Sequence, residues 1–174
     1  MTYQTESPQG YITALQEMIS KIDIQAIESA VSVLLKAYEN GNCIFIFGNG
    51  GSGTTSSHMA GDFIKGVSYG LDKKFKMICL NDNFTTMTAF ANDVSYDLVF
   101  VEPLKNFLQD GDVVIGLSGS GNSRNVVLAF EYAALNDVTN YHRIYNELFK
   151  YDTDEKKEKM NPEIGSPNVY ILDK

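Results

Sequence analysis

The chain of 174 residues is predicted to fold as an α/β protein, a three-layer doubly wound parallel sheet with two helices ahead of its first strand. Three observations predict it. Short continuous apolar runs, the pattern of strands buried on both faces, alternate with segments of helical periodicity. Two of those runs end in loops rich in glycine and serine that open helices, and a sheet of this kind keeps its ligands at such strand ends. The composition, 44% hydrophobic and 21% charged, is that of a globular domain. At this length a chain buries roughly 70% of its unfolded surface and needs no disulfide or structural metal.

In chain order, Tyr11, Ile12, Leu15, Met18, Ile19 and Ile22 recur at helical spacing and predict a helix over 11–22. A second helix is expected to start at Asp23 as N-cap, to run to Asn40 and to stop at Gly41. Its apolar face is wide: Ile24, Ile27, Ala30, Val31, Leu34, Leu35 and Tyr38. Two such helices expose more apolar surface than one small sheet covers. They either pack on their own domain or form a helical layer shared between subunits.

The first strand is expected over 43–47, followed by a glycine-rich loop and a helix reaching about Ile64. A second strand is expected over 76–80, a short helix over 84–91 and a longer one over 95–108, ended by the Asp110–Gly111 turn. A third strand over 113–117 leads through a polar loop into a helix over 125–135. Beyond Asp137 the texture changes. Tyr141, Ile144, Tyr145, Leu148 and Phe149 fit one more amphipathic helix, residues 152–159 are a solvated charge run, and 169–172 would make a last strand. The chain therefore divides into a domain over 1–137 and a divergent segment over 138–174.

The net charge of −8 argues against nucleic-acid binding, which wants a basic face, but leaves phosphate ligands open, because backbone amides and hydroxyls bind them without lysine. Cys43 and Cys79 sit inside apolar runs and read as small buried hydrophobes, consistent with a reducing compartment. The N-terminus has the features of no signal peptide and no stretch has the length of a membrane span. A soluble cytoplasmic protein is expected.

The first loop is Phe47-Gly48-Asn49-Gly50-Gly51-Ser52-Gly53. Glycines let the backbone approach a ligand closely, and the helix that follows offers free N–H groups and a positive dipole end. Gly48, Gly50 and Gly53 also satisfy the spacing of a dinucleotide fingerprint, yet the acidic residue that should close it is out of place: Asp72 precedes the second strand and Asp82 comes late. The second loop, Ser118-Gly119-Ser120-Gly121-Asn122-Ser123, offers three hydroxyls and flexible backbone amides, a cup suited to phosphate. A plain strand-to-helix turn would also contain glycines and an N-cap serine. That two such loops occupy equivalent places in one sheet favours the ligand cup.

The order of Gly48–Ser52, His58-Met-Ala-Gly-Asp62, Ala91-Asn-Asp93 and Ser118–Ser123 resembles that of the phosphoheptose isomerases, enzymes of the sugar isomerase (SIS) type with a flavodoxin-like sheet, over roughly residues 11–135. The resemblance implies conversion of sedoheptulose 7-phosphate to glycero-manno-heptose 7-phosphate by a homotetramer whose N-terminal helices form much of the interface. It makes Ser118, Ser120 and Ser123 the phosphate-binding serines and Asn49, Gly50, Gly51 and Ser52 ligand contacts of the first loop. Asp93 matches a substrate-site aspartate, and His58 and Asp62 match a zinc-binding histidine and a glutamate that also moves a proton. Spacing i, i+4 puts those two on one helix face, where a lone histidine would ordinarily be buried or capping. Asp62 is one methylene shorter than the family's glutamate.

The resemblance stops near Asp137. The family's last helix brings a glutamine or glutamate and a histidine to the metal and the catalytic base, and the one other histidine here, His142, lies in no such pattern. Two further classes therefore stand beside the isomerase: a non-catalytic relative that binds a sugar phosphate or a protein partner, and, more remotely, a dinucleotide-dependent oxidoreductase.

Overall fold

The computed structural model describes residues 7–135, 140–142 and 168–173. Helix α1 (Pro8–Ile19) begins three residues before the expected start, because Ser7 caps it through its hydroxyl and Pro8 takes the first turn, where no N–H is needed. Helix α2 (Ile24–Asn40) has the expected ends: Asp23 accepts from the amides of Gln25 and Ala26, and Gly41 closes it at φ 74°. Strand β1 (Cys43–Gly48) leads into α3 (Gly51–Gly61), which continues as a π-helical turn, Asp62–Val67. After β2 (Lys76–Cys79) comes α4 (Phe84–Asp93).

The single helix expected over 95–108 is two elements. A 3-10 turn, Tyr96–Leu98, precedes α5 (Val101–Phe107). Pro103 is the reason: it has no N–H to donate to an earlier turn, so the α-helix starts just before it. Gly111, at φ 85°, turns the chain into β3 (Val113–Ser118), which is followed by α6 (Arg124–Leu135).

The sheet runs β2-β1-β3, all parallel, and then continues through β5 (Asn168–Asp173) and β4 (Asn140–His142) as antiparallel neighbours. Residues 140–142 are thus strand, where a helix from Tyr141 onward was expected; a tyrosine and a histidine fit a pleated surface as readily as a helix, and three residues carry too little periodicity to decide. The rest of that expected helix and the charge run over 152–159 lie outside the described residues.

Alternation along β1 builds the three layers. Ile44 and Ile46 face one side with Val113, Ile115 and Leu117, against Ala30, Val33, Leu34 and Ala37 of α2 and Ala60 of α3. Phe45 and Phe47 face the other side with Val114, against Val99, Phe100, Val101 and Leu104 and against Val126, Ala129, Phe130 and Ala133 of α6. Helices therefore cover both faces, as a doubly wound sheet requires. Connections leave β1 in opposite directions, towards β2 and, later, β3. The crevice of such a sheet opens where the direction reverses, at the C-terminal ends of β1 and β3. There Gly48 stands opposite Leu117, one residue before Ser118.

Candidate functional site

Both loops singled out in the sequence meet at this crevice. In the first, Gly48 and Gly53 are glycines for reasons of space. A Cβ on Gly48 would lie 2.8 Å from the Leu117 carbonyl oxygen, and one on Gly53 would lie 2.9 Å from the Gly48 carbonyl oxygen. Gly50 takes φ 52°, ψ −122°, a conformation that side-chain-bearing residues avoid. Nothing lies within 4 Å of the place a Cβ would occupy on Gly50 or Gly51, so their backbone borders open space. Among the described residues, no partner engages the N–H of either.

In the second loop the three serines have different tasks. Ser118 is buried; its hydroxyl donates to Ser123 Oγ at 3.1 Å and accepts from the Gly121 amide at 3.1 Å, so it shapes the turn from within. Ser120 Oγ accepts from the Asn122 amide at 3.2 Å and keeps its O–H, as Ser123 does. The backbone N–H groups of Ser120, Ser123 and Arg124 have no partner among the described residues. Neither α3 nor α6 carries an acidic residue in its first turn, so both positive dipole ends are unopposed.

Asn49, expected as a ligand contact, is tied by side chains that the sequence reading did not single out, and together they lock the loops. Asn49 and Asn125 form a reciprocal amide pair, Asn49 Nδ2 donating to Asn125 Oδ1 at 2.8 Å and Asn125 Nδ2 to Asn49 Oδ1 at 2.9 Å. The Tyr96 hydroxyl adds a donor to Asn49 Oδ1 at 2.9 Å. Asn81, in the 3-10 turn Leu80–Asp82 that follows β2, accepts from the Gly48 amide at 3.1 Å and donates to its carbonyl at 2.8 Å, extending the sheet's pattern with a side chain. A polar residue just after a strand or in the first turn after a polar loop was the only signal for Asn81 and Asn125.

The charged candidates stand apart from this network. His58 Nε2 lies 3.3 Å from Asp62 Oδ2, so the i, i+4 pair does meet, on a face where the two side chains are 77% and 68% exposed. Two ligands fall short of the three protein ligands of a catalytic zinc, and no cluster of three or more histidine, cysteine or carboxylate groups exists among the described residues. Those residues do not fit the metal by themselves. Asp93, at the end of α4, is exposed and accepts from Asn92 Nδ2 at 2.7 Å; it has no hydrogen bond to either loop. Ser52 is half-buried beneath Gly48. The side chain of His142 lies outside the described residues.

Fold and loops define an α/β domain with an anion-compatible crevice at its switch point. The SIS domain family matches residues 9–139, and the chain belongs to it. Its relatives include the phosphoheptose isomerase of Clostridium acetobutylicum, 40% identical over 111 residues that cover 63% of this chain and 56% of that protein. The phosphoheptose isomerase of Thermodesulfovibrio yellowstonii is 38% identical over 122 residues, 68% of this chain and 59% of that one. Among solved structures, phosphoheptose isomerase GmhA from Neisseria gonorrhoeae superposes with a TM-score of 0.64 at 32% identity, covering 72% of this chain and 64% of that one. The chain thus spans between half and two thirds of the length of these relatives.

Proposed function

We propose that this chain binds a phosphorylated sugar in the crevice between its two loops and belongs to a sugar-phosphate isomerase acting on sedoheptulose 7-phosphate. The observation that carries the proposal is the juxtaposition of two helix N-termini, with N–H groups at Gly50, Gly51, Ser120, Ser123 and Arg124 that have no partner among the described residues, and no acidic residue in either first turn. Such an arrangement favours an anion with several acceptor oxygens. Phosphate sits against the O–H groups of Ser120 and Ser123, within the frame that Ser118 holds. The sugar extends towards Asn49, Gly50, Gly51 and Ser52.

Interconverting a ketose and an aldose moves a proton between neighbouring carbons through an enediol, which requires a base within about 3 Å of that proton. Asp93 and Asp62 are the carboxylates assigned to this work, with His58 paired to Asp62. Because these three groups have no hydrogen bond to the loops among the described residues, binding is expected to be strong and isomerisation weak unless residues beyond 137 supply a base. The same observation favours, as a second reading, a relative that binds sugar phosphate, or a protein partner, without turnover.

The apolar residues exposed along α1 and α2, among them Tyr11, Ile12, Ile24, Ile27, Val31 and Leu35, support assembly into a homotetramer. The two free thiols support a cytoplasmic location. Turnover of sedoheptulose 7-phosphate, measured beside metal content in wild type, Asp62→Asn and His142→Ala, tests the catalytic part. Low turnover, reduced further by Asp62→Asn, is the expected result. Turnover at the level of a full-length isomerase that survives both substitutions would contradict the assignment.

A further inference from the structure

We propose that Asn125 and Tyr96 are positioning residues that fix the Asn49 amide as a hydrogen-bond donor towards the sugar. The inference rests on the sugar-phosphate reading of the crevice. It starts from a group that can only donate: the Val126 backbone N–H, 3.0 Å from Asn125 Oδ1. That contact makes the Asn125 oxygen the acceptor on that side, and it receives Asn49 Nδ2 as well. The Asn125 nitrogen is then left to face Asn49 Oδ1, to which it donates. Asn49 Oδ1 accepts a second bond from the Tyr96 hydroxyl, and both its lone pairs are engaged.

The direction of every bond in the chain follows from one backbone amide. Asn49 retains one capacity, the second hydrogen of Nδ2, which has no partner among the described residues. An asparagine held this way offers a ligand a donor and cannot offer an acceptor. It therefore selects a carbonyl, hydroxyl or enediolate oxygen, and it discriminates against a group that has only hydrogens to give. Asn125 suits the task because it is 2% exposed, held at the start of α6 and out of reach of competing solvent. Tyr96, in the 3-10 turn that follows α4, reaches Asn49 through its hydroxyl and thereby links that turn to both loops.

The test is calorimetric titration of the full chain with sedoheptulose 7-phosphate and, separately, with inorganic phosphate. Tyr96→Phe removes one hydroxyl from a half-exposed side chain, and Asn125→Ala removes both side-chain bonds to the Asn49 amide without placing a charge in the first turn of α6. Each is expected to weaken sedoheptulose 7-phosphate binding by about 5- to 30-fold, the effect of one misplaced hydrogen bond, and to leave phosphate binding within about twofold. In an Asn49→Ala background the Tyr96→Phe substitution should have no further effect, since a residue that acts through Asn49 has nothing left to position. Losses for both ligands in parallel, or a full loss from Tyr96→Phe in the Asn49→Ala background, would overturn the inference. A wild-type chain that binds neither ligand overturns the functional reading, and this inference with it; one that binds both, with Tyr96→Phe and Asn125→Ala unchanged, overturns this inference alone.

Discussion

Ser120 and Asp112 show how single side chains divide between ligand and fold. Ser120 keeps its O–H while its oxygen accepts from Asn122, so its removal subtracts one donor from the crevice. Ser120→Ala is expected to weaken sugar-phosphate binding by roughly 1–3 kcal/mol with little change in unfolding free energy, as read by calorimetry beside urea denaturation. Asp112 is the reverse case. It is 4% exposed and its carboxylate accepts from the amides of Cys43 at 2.8 Å and Gln109 at 2.9 Å, tying the start of β1 to the turn before β3. Asp112→Ala leaves two amides without a partner and is expected to cost about 2–4 kcal/mol of stability in urea unfolding. Neither Asp112 nor the Asn49–Asn125 pair was legible in the sequence. A buried polar residue and an exposed one look alike until the fold brings a partner from 69 or 76 positions away.

At the level of elements, the strands and the two loops were readable because each signal is local. Apolar runs mark buried strands, and Asp23 and Gly41 mark the ends of α2. The helix over 95–108 was misread because apolar periodicity continued across it, while Pro103 had the deciding effect on where hydrogen bonding starts. The turn of loop one into α3 depends on close approach, and Gly53→Ala tests that. Its Cβ would lie 2.9 Å from the Gly48 oxygen and 3.0 Å from Asn81 Nδ2, so α3 must shift from β1. A loss of roughly 1–3 kcal/mol in thermal or urea unfolding is expected, together with weaker ligand binding. The start of β1 supplies a second measurement. Burial, with the Asp112 carboxylate beside it, raises the Cys43 thiol from 9.0 to about 11. The unfolded chain therefore loses this proton at a lower pH than the folded one. Stability is full below pH 9 and declines as pH rises towards 11. In the same way, native Cys43 should react with a disulfide reagent at pH 8 far more slowly than in the unfolded chain.

For the whole molecule, the doubly wound sheet places both loops on one edge, and this placement, rather than either motif alone, gives the crevice its character. Glycine-rich loops are common; two at the C-terminal ends of neighbouring strands, facing each other across a switch point, are not. The outer helices carry a second whole-molecule property. Ile24, Ile27, Val31 and Leu35 form a stripe along α2 distinct from the buried Ala30, Val33, Leu34 and Ala37. Association through that stripe is expected, with light scattering showing a tetramer at micromolar concentration and Ile27→Glu with Leu35→Glu shifting it to smaller species. A monomer in the wild type would contradict this. The resemblance carried in the motifs covers roughly residues 11–135, and beyond it the sequence offers no local pattern that matches the family's last helix.

The central claim is that the crevice between Gly48–Ser52 and Ser118–Ser123 recognises the phosphate and the sugar together. Titration of the full chain with sedoheptulose 7-phosphate and with unphosphorylated sedoheptulose measures this directly. Saturable binding of the phosphorylated sugar, at least about a hundredfold tighter than that of sedoheptulose, is the result the account predicts, since several charge-assisted hydrogen bonds are lost with the phosphate. Equal affinity for the two sugars, or no binding of either, would contradict it.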